Sequence, residues 1–93
     1  MIQKVAIIGA GTMGNGIAQV FAMYGYDTIL CDVSSDTLIM ALSTIDSNLH
    51  RMAKKELITT AAIPEVLKKI KTTTSIEVSA TDADLVIEAA SEN

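Results

Sequence analysis

Three glycines near the start of the chain have the spacing of a phosphate-binding loop. Gly9, Gly11 and Gly14 form the pattern G-x-G-x-x-G directly after a short apolar run. Gly9 allows a tight turn, Gly11 lets the backbone approach a pyrophosphate, and Gly14 lets a following helix pack closely on a sheet. The first turn of that helix offers free N–H groups and the positive end of a dipole. Thr12 and Met13 are therefore candidate binding residues together with the three glycines.

An acidic residue follows at the distance expected for a ribose contact. Asp32 comes 18 residues after Gly14, and its carboxylate would accept hydrogen bonds from the adenosine ribose hydroxyls. It would also repel the extra phosphate of NADP, and positions 33–36 hold no Arg or Lys to compensate. NAD is therefore the expected cofactor. We expect Asp32→Ala to weaken NAD binding and leave folding nearly intact. The alternatives are a turn without a ligand for the glycines and a helix cap for Asp32.

A strand, a helix and a second strand are needed to bring these residues together. Residues 3–8 are a β-branched run typical of a buried parallel strand. A helix ending at Gly25 is predicted by apolar spacings of four and three, at Met13, Ile17, Val20, Phe21 and Tyr24. Close packing would explain Gly16 inside this helix, where glycine costs about 1 kcal/mol relative to alanine. Residues 28–31 predict a second strand, which completes a right-handed βαβ unit.

The rest of the chain extends this unit into a larger parallel sheet. A long amphipathic helix is predicted over 36–55, with apolar residues at Leu38, Leu42, Ile45, Leu49 and Met52. A second helix, from about residue 60 or 63 to 70, has Pro64 in its first turn and completes a helical hairpin over about 36–70. Residues 71–74 predict a third strand, 75–80 a turn or short helix, and 85–89 a fourth strand. The fold class is therefore α/β: a Rossmann-type, doubly wound parallel sheet of about four strands with an inserted helical hairpin.

The predicted strand order 3-2-1-4 places the ligand crevice at the carboxyl ends of strands one and four. Residues at and just after the fourth strand should line it, and the candidates are Glu88, Ser91, Glu92 and Asn93. Glu88 lies within the strand and is expected to be packed or paired. Glu92 lies past the end of the strand, where the alternative is an ordinary solvated carboxylate.

The predicted hairpin collects most of the positive charge of the chain. Six of the seven basic residues fall between Arg51 and Lys71. Asn48 and Lys55 share a helix face two turns apart, and Arg51, Lys54 and Lys55 could meet a phosphorylated ligand. The alternative is an ordinary solvated helix face.

The overall composition bounds the possible functions. A chain of 93 residues with 49% hydrophobic residues and a net charge of −4 is a small folded domain without a general attraction for nucleic acid or anionic membranes. The uncharged stretch 5–26 is interrupted by five glycines, which argues against a membrane span. Cys31 is the single cysteine and is expected to be a small buried side chain in a cytoplasmic protein. His50 has no ligand-spaced partner, so no metal site is predicted.

Two segments carry a family resemblance that is more specific than the glycine pattern. "KVAIIGAGTMGNGIAQVFAMYGYDTILCDV" and "DADLVIEAASEN" resemble the N-terminal NAD-binding domain of the 3-hydroxyacyl-CoA dehydrogenases, above all the bacterial 3-hydroxybutyryl-CoA type. The resemblance covers essentially the whole chain. It implies that the glycine loop, Asp32 and Glu92 contact NAD, and that Asn48 and Lys55 contact the CoA portion of an acyl-CoA substrate. Asn48 stands where the family usually has a small hydroxyl residue.

The resemblance also implies an activity for the intact protein. We expect an enzyme of fatty acid or butyrate metabolism that interconverts 3-hydroxyacyl-CoA and 3-oxoacyl-CoA, with hydride transfer to or from NAD, as a cytoplasmic homo-oligomer. The catalytic histidine, its glutamate partner and the C-terminal helical domain would lie beyond Asn93. Residues 1–93 would then be a partial domain that holds no catalytic residue and has no activity alone. The alternatives are a related hydroxyacid or sugar-acid dehydrogenase, or a non-enzymatic NAD-binding module.

Overall fold

Strands and helices alternate along the chain in a computed structural model that describes residues 1–89. The elements are β1 (Lys4–Ile8), α1 (Thr12–Met23), β2 (Asp27–Cys31), α2 (Ser35–Lys54), α3 (Ala62–Lys68), β3 (Ile70–Thr73), α4 (Ile76–Asp82) and β4 (Leu85–Glu88). All strand pairings are parallel, in the order β3-β2-β1-β4. The prediction of a doubly wound α/β sheet with this strand order is confirmed.

The central strand β1 is the core of the sheet. Val5, Ala6 and Ile7 have no exposed surface, because β1 lies between two strands and is packed by helices α1 and α4. Ile8 pairs with Cys31 on one side and with Glu88 on the other. This register brings the carboxyl ends of three strands to one edge of the sheet, where the predicted site residues follow.

The first helix ends where the sequence predicts and has a complete C-terminal cap. Gly25 has a φ of 91°, and the N–H groups of Gly25 and Tyr26 donate to the carbonyls of Ala22 and Phe21, both at 3.0 Å. The rings of Phe21 and Tyr26 pack edge to face with centroids 5.4 Å apart. This is the Schellman arrangement with its hydrophobic contact.

The second helix ends in the same way, but without a glycine. Glu56 has a φ of 63°, and the N–H groups of Glu56 and Leu57 donate to the carbonyls of Ala53 and Met52, both at 2.9 Å. For a residue with a Cβ, adopting this left-handed backbone conformation costs about 1–2 kcal/mol of free energy. Glu56 therefore occupies a position that glycine would fill with less strain.

The segment predicted as a helical hairpin consists of α2 and α3, which pack on each other and on α1. The predicted apolar stripe of α2 is buried at Leu38, Ile45 and Leu49. The bounds differ from the prediction by one or two residues, since Ser34 caps α2 and lets it begin at Ser35. Pro64 lies in the first turn of α3, as predicted.

The amino ends of β1 and β4 are joined by a carboxylate. Asp84 Oδ2 accepts hydrogen bonds from the backbone N–H groups of Gln3 and Lys4, at 2.9 and 3.0 Å. These two bonds hold the pKa of the Asp84 carboxyl below its ordinary value of 3.8, because they stabilise the ionised form.

Gly16 is not explained by close packing, and that prediction is wrong. Among residues 1–89, no heavy atom of another element lies within 4 Å of a Cβ added at Gly16. Helix α1 therefore has an open position where its sequence indicated a contact.

Candidate functional site

The amino end of α1 is left open by the protein itself. Its N-cap residue, Gly11, has no side chain that could accept a hydrogen bond from the first turn, and that turn holds no acidic residue. Helices α2 and α4 differ, because Ser34 and Ser75 accept hydrogen bonds from their first turns, at 3.1 and 3.2 Å. Free N–H groups at the positive end of a helix dipole bind anions. The 12-residue helix α1 therefore offers the place for a phosphate group that the glycine pattern predicted.

The glycines of the motif have separate structural causes. A Cβ on Gly14 would lie 1.7 Å from the carbonyl oxygen of Gly9, so any other residue would displace the backbone. Gly9 itself has a φ of 105° and donates its N–H to the Cys31 carbonyl at 2.7 Å. No atom of residues 1–89 lies within 4 Å of a Cβ added at Gly11, and Thr12 and Met13 beside it are exposed. Thus Gly9 and Gly14 shape the turn, while Gly11 leaves its backbone accessible.

Asp32 ties the glycine loop to the turn after β2. Its Oδ2 accepts the N–H of Ala10 at 2.9 Å, and its Oδ1 accepts the N–H of Ser34 at 3.0 Å. The cap of α2 is the Ser34 hydroxyl, which accepts the N–H of Thr37, so Asp32 is not the cap. Each carboxylate oxygen keeps a further acceptor position, available to a ribose hydroxyl. Because two backbone groups depend on Asp32, we revise the expectation that its removal leaves folding nearly intact.

A crevice of about 220 Å³ lies at the carboxyl ends of the strands. Its lining is mostly apolar, from Ile8, Cys31, Val33 and Ile76, with Gly9, Asp32 and Glu88 as the polar contributions. Cys31 is fully buried, as predicted. The prediction that Glu88 is packed or paired is wrong: its side chain is exposed, and no cation in residues 1–89 forms an ion pair with it. The reason is strand alternation, which places Glu88 on the same face as exposed Val86.

A second cavity, of about 310 Å³, lies on the other side of the glycine loop, between α1 and α2. The loop and α1 contribute Ala10, Gly11, Thr12 and Asn15, and α2 contributes Thr37, Met40, Ala41 and Thr44. The predicted phosphate loop therefore contributes to two cavities, to the crevice through Gly9 and to this one through Ala10, Gly11 and Thr12.

Asn48 and Lys55 have different surroundings. Asn48 is half-buried, donates from Nδ2 to Gln19 Oε1 at 3.2 Å and accepts a hydrogen bond from the Arg51 guanidinium. Lys55 is exposed at the C-cap of α2. The sequence analysis missed Gln19. The available signal was its place one turn after Asn15, because these are two of the few polar residues of α1.

Glu92, predicted to contact the cofactor, and the crevice candidates Ser91 and Asn93 lie outside the described residues. His50 is exposed and within 2.8 Å of the Asp46 carbonyl. No group of three potential metal ligands occurs within residues 1–89. None of the helices in this part of the chain combines the length and the apolarity needed to cross a membrane.

Together, the parallel βαβ unit, the uncapped helix after a glycine turn and the carboxylate at the end of β2 define a dinucleotide-binding domain of the Rossmann type. Comparison with known families makes this specific. The family described as "3-hydroxyacyl-CoA dehydrogenase, NAD binding domain" matches residues 4–93, and the chain belongs to this family. The resemblance predicted from the sequence is thereby confirmed, and NAD is the cofactor of the family domain.

The relatives include dehydrogenases that are named for CoA thioesters with different acyl groups. The chain is 46% identical to 3-hydroxybutyryl-CoA dehydrogenase of Bradyrhizobium diazoefficiens over 99% of its length and 31% of that protein. It is 42% identical to 3-hydroxyadipyl-CoA dehydrogenase of Escherichia coli over 98% of its length and 19% of that protein. The crystal structure of (S)-3-hydroxybutyryl-CoA dehydrogenase from Ralstonia eutropha superposes with a TM-score of 0.94 and 43% identity, covering 100% of this chain and 32% of that one. The chain thus spans less than a third of these relatives.

Proposed function

We propose that the chain is the NAD-binding part of an enzyme that interconverts 3-hydroxyacyl-CoA and 3-oxoacyl-CoA, with 3-hydroxybutyryl-CoA as the first substrate to test. The observation that carries the proposal is the uncapped amino end of α1 beside Asp32, in a chain of this family. The names of the relatives described above, two of which specify 3-hydroxybutyryl-CoA, support the acyl-CoA substrate.

Each residue of the site receives a role in this proposal. The backbone N–H groups of Gly11, Thr12 and Met13 hold the pyrophosphate, since no protein side chain in residues 1–89 caps them. Asp32 accepts the adenosine ribose hydroxyls, and its negative charge selects NAD over NADP. Glu92 contacts the cofactor on the strength of the family resemblance.

The chain's own residues bind and orient the cofactor. NAD, when bound, supplies the acceptor for the hydride that leaves the 3-hydroxyl carbon. Val33 and Ile76 line the crevice with apolar side chains, which would exclude water from a ring of the cofactor placed against them. Asn48 and Lys55 contact the CoA portion of the substrate, so that the acyl group is delivered toward the carboxyl ends of the strands.

The cofactor part is tested by titrating the 93-residue chain with NADH and NADPH and following nucleotide fluorescence. We expect binding of NADH and at least tenfold weaker binding of NADPH. Gly11→Ala should fold normally, because its Cβ meets open space, but should bind NADH more weakly because that space is needed by the pyrophosphate. Equal NADH affinity in Gly11→Ala and the wild type would contradict the proposed phosphate site.

The substrate part is tested on a longer protein that contains this chain. It should oxidise (S)-3-hydroxybutyryl-CoA with NAD and leave free 3-hydroxybutyrate and sugar acids unchanged. Turnover of the free acids in preference to the thioester would favour a hydroxyacid dehydrogenase instead. We further expect no turnover by the 93-residue chain alone, and a cytoplasmic homo-oligomer for the longer protein, measurable by fractionation and sedimentation.

A further inference from the structure

Glu88 is a carboxylate of the crevice to which the proposed function assigns no role. It ends β4, its side chain is exposed, and it lines the crevice together with Asp32. No Lys, Arg or His of residues 1–89 forms an ion pair with it. Asp32, in contrast, already accepts two backbone N–H groups of the protein. The Glu88 carboxylate is therefore available to a ligand.

The crevice offers apolar side chains to a flat ring. Val33 and Ile76 line it, with 81% and 49% of their surface exposed. A ring placed against them removes this apolar surface from water, and the volume of about 220 Å³ accommodates a bicyclic base. Because Asp32 is the proposed contact for the adenosine ribose, the base joined to that ribose is the ring that reaches these side chains.

The register of the sheet sets the distance between Asp32 and Glu88. Ile8 pairs with Cys31 on one side and with Glu88 on the other, and Asp32 follows Cys31 directly. Neighbouring strands lie about 4.8 Å apart, so the backbones at Cys31 and Glu88 are separated by about 10 Å. A nucleoside has a comparable length from its ribose hydroxyls to the far edge of its base. A nucleoside held at Asp32 therefore reaches Glu88.

The two charged side chains of the crevice, Asp32 and Glu88, accept hydrogen bonds and donate none. The backbone N–H of Gly9, which lies between them, is already paired with the Cys31 carbonyl at 2.7 Å. Adenine carries an amino donor at its 6-position, whereas guanine and hypoxanthine carry a carbonyl acceptor there. Glu88 would therefore attract the edge of adenine and repel that of the other two purines.

We propose that Glu88 accepts a hydrogen bond from the 6-amino group of adenine and is a specificity-determining residue for the base of the dinucleotide. The proposal rests on the NAD binding proposed above and adds to it a residue that distinguishes one purine from another. The hydrogen bond joins a charged acceptor to a neutral donor, and Glu88 stays partly open to water. We therefore expect a discrimination between adenine and hypoxanthine of about tenfold.

The test compares NADH with reduced nicotinamide hypoxanthine dinucleotide, in which a carbonyl replaces the 6-amino group of the base. Both carry the same fluorescent nicotinamide, so titration of the 93-residue chain measures each dissociation constant by the same signal. Wild type should bind NADH about tenfold more tightly than the analogue. Glu88→Gln should bring the two dissociation constants close together, because an amide accepts from the amino group and donates to the carbonyl. Glu88→Ala should weaken NADH binding and leave the analogue bound at least as tightly as by wild type.

The matched control is Glu77→Gln, which removes the same charge from an exposed position of α4 outside the crevice lining. It should keep the wild-type preference for NADH over the analogue. Glu88→Gln should also keep the preference for NADH over NADPH, because that preference is set at the ribose. Since both glutamates are exposed, circular dichroism should show all variants folded.

Two results overturn the role of Glu88 and leave the proposed function standing. One is an unchanged preference for NADH over the analogue in Glu88→Gln, and the other is equal binding of the two nucleotides by the wild type. A loss of the preference for NADH over NADPH in Glu88→Gln would show a general charge effect and would likewise overturn base recognition. No NADH binding by the wild type counts against the cofactor site and the role of Glu88 together.

Discussion

Replacing Asp32 should lower both the stability of the folded chain and its affinity for NAD. The carboxylate accepts two backbone N–H groups, at 2.9 and 3.0 Å, in a half-buried position. A hydrogen bond to a charged group contributes about 1.5–3 kcal/mol, and partial exposure favours the lower end. With two such bonds, Asp32→Ala should therefore lower the free energy of unfolding by about 3 kcal/mol.

This loss should leave the protein folded. A chain of this length has a total stability of about 5–14 kcal/mol, and a loss of this size lowers the melting temperature by about 10 °C or more. Asp32→Asn keeps one acceptor oxygen but turns its NH₂ toward one of the two N–H donors. It should lose about half as much as Asp32→Ala.

The NAD affinity should fall separately. Losing the ribose contacts of a carboxylate corresponds to roughly a 10- to 100-fold weaker binding constant, and the preference for NAD over NADP should disappear. Urea unfolding gives the stability, and NADH titration well below the unfolding transition gives the affinity. The matched control is Asp36→Asn, an exposed carboxylate in the first turn of α2, where the loss should stay below about 1 kcal/mol. Wild-type stability in Asp32→Ala would refute the bridging role, and unchanged NADH affinity would refute the ribose contact.

Three further predictions follow from single positions. Gly14→Ala should fail to fold or lose most of its stability, because its Cβ would lie 1.7 Å from the Gly9 carbonyl oxygen; circular dichroism against Gly11→Ala, which meets open space, checks this. Glu56→Gly should raise the free energy of unfolding by about 1 kcal/mol, measured by urea unfolding, and a loss of stability would show that Glu56 makes a compensating contact. The pKa of Asp84 in the folded state is lowered by two backbone N–H groups. The ionised carboxylate therefore stabilises the folded state above about pH 4, and this contribution is lost as the pH falls further. Asp84→Asn should therefore lose stability at pH 7 and differ less from wild type at pH 3, and an equal difference at both values would contradict this.

The fold could be predicted because its determinants are local and periodic. Apolar residues three and four apart marked α1 and α2, and two β-branched runs around a glycine turn marked the βαβ unit. Parallel pairing through helical crossovers then placed β2 and β4 on either side of β1. The element ends shifted by one or two residues, as at Ser35, where a side-chain cap rather than apolar spacing sets the boundary.

The site was predicted less completely, for a physical reason. The glycines and Asp32 belong to one βαβ unit, so their spacing along the chain carries the information. The contact between Gln19 and Asn48 joins two helices 29 residues apart, and no periodicity within either helix pairs them. The exposure of Glu88 depends on which face of the sheet is covered, and the left-handed backbone of Glu56 has no signal in the residue type.

The contrast between Gly14 and Gly11 has a consequence for how such chains diverge over time. Selection for folding alone preserves Gly14, since no other residue avoids the Gly9 carbonyl. Gly11 meets no such barrier, so in the function proposed above it is selection for dinucleotide binding that preserves it. A descendant that lost the cofactor but kept its fold would therefore drift at Gly11 while retaining Gly14. The two glycines of one motif are thus under two separate kinds of selection. A lineage in which Gly11 has changed while Gly14 is retained is expected to have lost its ligand.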